Sequence, residues 1–170
     1  MTTKRIILAG GCFWGVEGYF SHLPGVLDTE VGFANGQTPH PVYKDVKAGG
    51  TGYAEACKIE YDPDVLPLRT LLRHYLRIID PTTLNAQGPD RGTMYRTSIY
   101  YNNDEERALA EELLAKEQKH WDKPIVTTVE PLVNYYPAEE YHQDYLKKTP
   151  CGYCHVNMQL LDEPLPPEED

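Results

Sequence analysis

The chain has 170 residues, enough for one domain with a sizeable core. Apolar residues make up 41% and charged residues 25%, an ordinary globular balance. At a net charge of −10 nothing suggests nucleic-acid binding, and an anionic membrane would be a poor partner.

Half of that charge sits in residues 162–170, which hold five acidic groups and no basic one, so the body is only mildly acidic. Lys4-Arg5 runs straight into a strand-length apolar segment. That is not the pattern of a secretory signal, and no stretch is long enough to span a bilayer. A cytoplasmic location is therefore expected. Four cysteines in a reducing compartment favour catalysis or metal binding over structural disulfides.

Residues 4–9 read as a buried strand. It leads into Gly10-Gly11-Cys12-Phe13-Trp14-Gly15 and then a helix over 13–22, stopped by Pro24-Gly25. A cysteine at a helix start faces free amides and the positive end of the helix dipole, and both favour the reactive thiolate. The glycines would let a substrate approach closely, and Phe13 and Trp14 could wall an apolar pocket. A buried structural cysteine beside core aromatics fits the same local sequence.

A strand over 26–33 places Leu27, Thr29, Val31 and Phe33 on one face. Residues 35–52 read as a long loop carrying Tyr43, and loops of that length are commonly functional. A strand over 53–61 alternates, with Tyr53, Glu55, Cys57, Ile59 and Tyr61 on one face and Ala54 and Ala56 on the other. If the aromatic face is the inner one, Glu55 has a raised pKa and holds a proton near neutrality; if the faces are reversed, Glu55 is wet.

A helix over 67–79 buries Leu68, Leu71, Leu72, Tyr75, Leu76 and Ile79 and leaves Arg69, Arg73 and Arg77 in solvent. A polar loop over 80–94 carries Asp90. A tyrosine-rich strand follows at 95–101, then a helix capped by Asn102 or Asn103 and running to about Lys119. Residues 125–132 form a β-branched strand and 138–147 a short helix. The end, from Glu163 to Asp170, is proline-rich and acidic and reads as frayed. The first six elements run β-α-β-β-α-β, which makes the fold class α+β, a ferredoxin-like (split βαβ) two-layer sandwich with a C-terminal extension.

Cys151-Gly152-Tyr153-Cys154-His155 has three chemical readings. It has the spacing of a covalent haem attachment, which belongs outside the cytosol. It could contribute to a zinc site, although no second Cys-x-x-Cys supplies the remaining ligands. It could also be a mobile redox segment that folds back to a reactive cysteine. Four unrelated reduced thiols remain a plain alternative.

Taken together, the motifs resemble those of the A-type peptide methionine sulfoxide reductases. The resemblance rests on the Gly-Gly-Cys12-Phe13-Trp14-Gly15 run, on Gly52-Tyr53-Ala54-Glu55, and on Asp80-Pro81-Thr82-Thr83 with Gln87 to Arg96. It continues through Glu140 to Leu146 and Gly152-Tyr153-Cys154, in the family's order over roughly residues 5–160. Tyr53 stands where the family commonly has histidine, and Pro89 where it has asparagine.

The resemblance implies a catalytic domain over 1–161 and an acidic Pro-rich tail over 162–170. It implies that Cys12 attacks the sulfur of a methionine S-sulfoxide, free or in a protein, with Phe13 and Trp14 around the methyl group. Tyr43, Tyr95 and Glu55 would bind the oxygen, Glu55 as proton donor, and Asp90 would arrange the site. Cys12 would become a sulfenic acid, Cys154 would close a disulfide on it, and thioredoxin would reduce that bond. Cys151 and Cys57 are further redox candidates for the resolving role. No metal or organic cofactor is implied, and nothing demands more than a monomer.

Overall fold

The computed structural model describes residues 3–150, 152 and 154–168. It is a mixed α+β molecule. The strands are β1 (Lys4–Gly10), β2 (Val26–Ala34), β3 (Ala54–Tyr61), β4 (Ala86–Gln87), β5 (Asp90–Arg91), β6 (Thr97–Tyr101), β7 (Thr128–Pro131) and β8 (Tyr135–Pro137). The α-helices among the described residues are α1 (Phe13–Phe20), α2 (Tyr43–Ala48), α3 (Leu68–Ile78), α4 (Asp104–Gln118) and α5 (Tyr145–Lys148). Six strands form one sheet in the order β7-β6-β1-β3-β2-β8, and β4 and β5 form a separate hairpin.

The sheet is antiparallel except for the β6–β7 pair. Strand β1 lies between β3 and β6, so both its edges are paired and its apolar run can be buried on both faces. Ile6 and Leu8 point into the main core with Val16, Phe20, Phe33, Ile59, Leu71 and Leu72. Ile7 and Ala9 point to a smaller cluster with Ala34, Ala54, Ala56 and Tyr100, which Leu132 and Tyr135 help to cover. The alternation in β3 follows the sequence, with Tyr53, Cys57, Ile59 and Tyr61 in the main core and the alanines on the opposite face. Strand β2 departs from it. A register shift between Val26 and Asp28 breaks the alternation, and Leu27 is exposed.

Helix α3 buries Leu71, Leu72, Tyr75, Leu76 and Ile78. The Tyr75 hydroxyl donates to the Ala9 carbonyl at 2.6 Å and ties the helix to the end of β1. Its arginines are not idle in solvent. Arg77 donates to the carbonyls of Leu160 at 2.7 Å and Glu163 at 2.9 Å, Arg73 donates to the Pro166 carbonyl, and Arg69 pairs with Glu112 and Glu168. The C-terminal segment expected to fray is thus held along α3 by its acidic and carbonyl groups. A cavity of about 340 Å³ lies beneath it, between α3 and α4.

Three other segments differ from the sequence reading. The loop at 35–52 contains α2, whose first amide, on Tyr43, donates to Glu139 at 3.1 Å. The loop at 80–94 is closed by Gln87, whose side-chain amide exchanges two hydrogen bonds with the backbone of Asp80, at 2.8 and 2.7 Å. The helix expected over 138–147 is broken into a single 3₁₀ turn at Glu140–His142 and the short α5. The break has a cause. Asp144 takes a left-handed conformation (φ 52°), and its amide donates to the buried Glu17 carboxyl at 2.7 Å instead of continuing a helix. Burial pushes Glu17 up to about 7.

Asn103, not Asn102, caps α4, accepting from the Glu106 amide at 2.9 Å, while Glu106 reaches back to the Asn102 amide at 2.7 Å. Replacing Asn103 with alanine should lower unfolding stability by about 1 kcal/mol in urea denaturation. An unchanged midpoint would mean that Glu106 alone satisfies this helix start.

Candidate active site

The turn between β1 and α1 carries the centre of the site. Gly11 takes φ 86°, and a Cβ there would fall 2.6 Å from the Gln87 Cβ. Cys12 follows at the head of α1 and is only 6% exposed. The free amides of the first helical turn are divided between two side chains. Those of Trp14 and Gly15 face the Cys12 sulfur. That of Phe13 donates to Glu55 Oε1 at 3.1 Å, joining α1 to the start of β3.

Glu55 is 1% exposed. Burial raises its pKa most and the nearby Asp90 carboxylate adds to it, while the Phe13 amide and Lys47 pull the other way. The result is a value of about 8. Glu55 therefore holds its proton at neutral pH, which selects the inner-face reading of the sequence.

For Cys12, burial outweighs the helix start. Burial above all, then Asp90 and the ionised form of Glu55, raise the thiol well above its ordinary range, and the amides of Trp14 and Gly15 only partly offset this. At rest Cys12 is a thiol beside a neutral carboxyl group.

Tyr43, at the first position of α2, and Tyr95, in the turn before β6, lie close enough for their hydroxyls to act on one another. Burial and the Glu55 carboxylate push Tyr43 up to about 12 and raise Tyr95 further, so both are neutral phenols able to donate. Asp90, half-buried in β5, acts electrostatically on Cys12, Glu55, Tyr43 and Tyr95 together.

Phe13 and Trp14 line an aromatic enclosure. The Phe13 ring lies 5.8 Å from Phe33 and 6.3 Å from Tyr43 between centroids. Trp14 stacks on Tyr145 at 3.8 Å. His142 stands among them, 1% exposed, with its ring 4.4 Å from Tyr43 and 5.3 Å from Phe13. The Trp14 indole N–H donates to His142 Nδ1 at 3.1 Å. An indole can only donate, so the neutral imidazole carries its proton on Nε2. Burial lowers the His142 pKa and keeps it neutral.

Sequence reasoning did not single out His142 or Gln87. Both were quoted only within longer motifs, and their partners lie 128 residues away or in the backbone.

Cys154 is half-buried, its thiol directed to the Val156 carbonyl at 3.3 Å, and burial raises its pKa. Cys57 is wholly enclosed in the main core, paired across the ladder with Leu8 and Val31. Cys151 lies outside the described residues. Among the described residues no group of three or more His, Cys, Asp or Glu side chains is placed to hold a metal, and no helix is long and apolar enough to cross a membrane.

A cysteine, a protonated acid and two phenols around one aromatic enclosure define the site of a thiol-based oxidoreductase. The peptide methionine sulfoxide reductase family model matches residues 4–168. Peptide methionine sulfoxide reductase MsrA of Clostridium acetobutylicum is 56% identical over 158 residues, 93% of this chain and 98% of that protein. The reduced form of Mxr1 from Saccharomyces cerevisiae superposes with a TM-score of 0.85 at 42% identity, covering 90% of this chain and 89% of the yeast chain. Mxr1 in complex with Trx2 superposes with a TM-score of 0.62 at 28% identity, covering 91% and 87%. The chain belongs to the peptide methionine sulfoxide reductase family and is a methionine sulfoxide reductase of the MsrA type.

If the Glu55 proton is used in the reaction, the sulfoxide-reducing step should be flat at neutral pH and fall as pH rises through about 8. Glu55→Gln should lower that rate by about 10²-fold or more and remove the descending limb. Single-turnover pH profiles of both proteins check this.

Proposed function

We propose that Cys12 is the nucleophile that reduces methionine S-sulfoxide, free or in peptides and proteins, and so repairs oxidised chains. The observation that carries this reading is the Phe13 amide bond to Glu55, a buried acid held protonated beside the Cys12 thiol. A sulfoxide oxygen is a poor leaving group until it is protonated. Glu55 supplies a proton to that oxygen, while Tyr43 and Tyr95 donate hydrogen bonds to it. The S-methyl group sits against Phe13 and Trp14, and Asp90 keeps the Glu55 proton in place by disfavouring a second carboxylate nearby.

The atoms balance as follows. The sulfoxide oxygen passes to Cys12, methionine leaves, and the thiol becomes a sulfenic acid. The Cys154 thiol then displaces the hydroxyl, forming a disulfide and water. A dithiol reductant exchanges with that disulfide and restores both thiols. The Mxr1–Trx2 complex supports thioredoxin as that reductant. Cys154 is favoured over the enclosed Cys57 as the resolving thiol because it is half-buried and near the chain end. Cys151 remains the alternative.

The cycle needs no metal or organic cofactor, works as a monomer and suits the reducing cytoplasm. The strand order β6-β1-β3-β2, antiparallel throughout, supports a ferredoxin-like reading of the core, with β7 and β8 as added edges. Residues 1–161 form the catalytic domain and 162–170 its acidic tail.

Cys12→Ser should yield no methionine from a sulfoxide peptide. Cys154→Ser should yield one methionine per chain and then stop when thioredoxin is the reductant. Mass spectrometry of disulfides formed without reductant names the partner of Cys12. A Cys12–Cys151 bond as the first product would transfer the resolving role, and turnover by Cys12→Ser would remove the nucleophile assignment.

A further inference from the structure

The histidine of the Cys-x-x-Cys-His run is not used by the reaction described above. His155 lies against the turn that carries Cys12. Its Nε2 is 2.9 Å from the Gly10 carbonyl. A carbonyl only accepts, so Nε2 donates. The ring fills space that the glycines leave. A Cβ on Gly11 would stand 3.0 Å from Nε2, and one on Gly15 would stand 3.0 Å from Nδ1 and 3.2 Å from Cε1. Gly88, from the loop closed by Gln87, meets the His155 Cβ from another side. The next residue, Val156, is buried and packs at Gly15 as well. The glycines flanking Cys12 thus make room for the residues that follow Cys154, not only for a substrate.

We infer that His155 is a positioning residue for disulfide formation: docked between Gly11 and Gly15 and bonded to the Gly10 carbonyl, it holds Cys154 beside the catalytic turn. This rests on Cys154 as the resolving thiol. Adjacent Cα atoms are about 3.8 Å apart, and a disulfide brings its two Cα atoms to about 4.4–6.8 Å. With the ring of the following residue anchored on the turn, Cys154 is tethered to it by one residue and one imidazole side chain. In that step its sulfur bonds to the Cys12 sulfur and the S–O bond breaks. The hydroxyl leaves with the Cys154 proton as water, so Cys154 is oxidised and Cys12 reduced.

The dock is also releasable. His155 Nδ1 is buried without a partner, so one hydrogen bond and ring packing hold it against a standing desolvation cost.

The test is a single turnover of a methionine-sulfoxide peptide without reductant. Methionine release reports the first step, and the decay of dimedone-trappable sulfenic acid reports the second. His155→Ala should release methionine at the parent rate and close the disulfide about tenfold more slowly. His155→Gln, whose amide N–H can reach the Gly10 carbonyl, should recover most of that rate, and the shorter His155→Asn should not.

Disulfide closure at the parent rate in His155→Ala overturns the proposal. So does methionine release slowed in step with closure, or equal behaviour of the Gln and Asn variants, and that last comparison decides if the Ala variant does not fold. Cys154→Ser run in parallel separates the two assignments. If it closes a Cys12 disulfide as fast as the parent, the resolving role of Cys154 has failed. If it is blocked while His155→Ala is fast, only the role of His155 has failed.

Discussion

The hydrogen bond from the Phe13 amide to Glu55 is the constraint on which the site depends. It spans 42 residues and ties the first turn of α1 to the start of β3. With the Phe13 amide taken by Glu55, the next two amides are left for the Cys12 sulfur. The same contact sets the charge state of the acid. An amide donor favours the carboxylate, yet burial and Asp90 outweigh it and leave Glu55 at about 8. Relative to an ordinary glutamate that is roughly 5 kcal/mol in favour of the neutral form. A Glu55 exposed by even a small opening of the β1–α1 turn would lose much of that preference.

Much of this geometry was legible because it is local or periodic. The strand–glycine–cysteine–helix run, the two faces of β3 and the apolar stripe of α3 follow from spacing alone. The family resemblance then grouped Tyr43, Asp90 and Tyr95 with Cys12 and Glu55, and electrostatic contacts link them: Asp90 acts on Cys12 and Glu55, and Glu55 acts on Tyr43 and Tyr95.

What the sequence hid depends on long-range partners. His142 has meaning only through Trp14, 128 residues earlier, and the break before α5 exists because Glu17 takes the Asp144 amide. The thiol state stayed open for a similar reason: the helix-start effect can be read from the sequence, but the extent of the burial that outweighs it cannot. Leu27 was placed on the wrong face because a bulge leaves no trace in a simple alternation.

The described residues from Asp144 to Glu168 are arranged as a strap along α1 and α3. Its fixed points include the Asp144 amide on Glu17, Tyr145 stacked on Trp14, and the carbonyls of Leu160 and Glu163 on Arg77. The ion pairs of Arg69 and Lys116 with Glu168 are exposed, and each contributes little by itself. Their effect is to keep an acidic segment on a basic helix face, so the chain's charge asymmetry becomes an internal contact. Cys154 lies between these anchors.

A resting thiol at Cys12 also bears on survival in the conditions that make the enzyme necessary. Peroxides oxidise thiolates, not buried thiols, and repeated oxidation of a thiolate ends in acids that ordinary thiols do not reverse. An exposed low-pKa cysteine would be consumed by the same oxidant that damages methionine. Burial raises the Cys12 thiol and leaves it 6% exposed, and both disfavour the thiolate that peroxide attacks. The burial that holds the Cys12 thiol in its protonated form thereby lowers its reactivity toward peroxide.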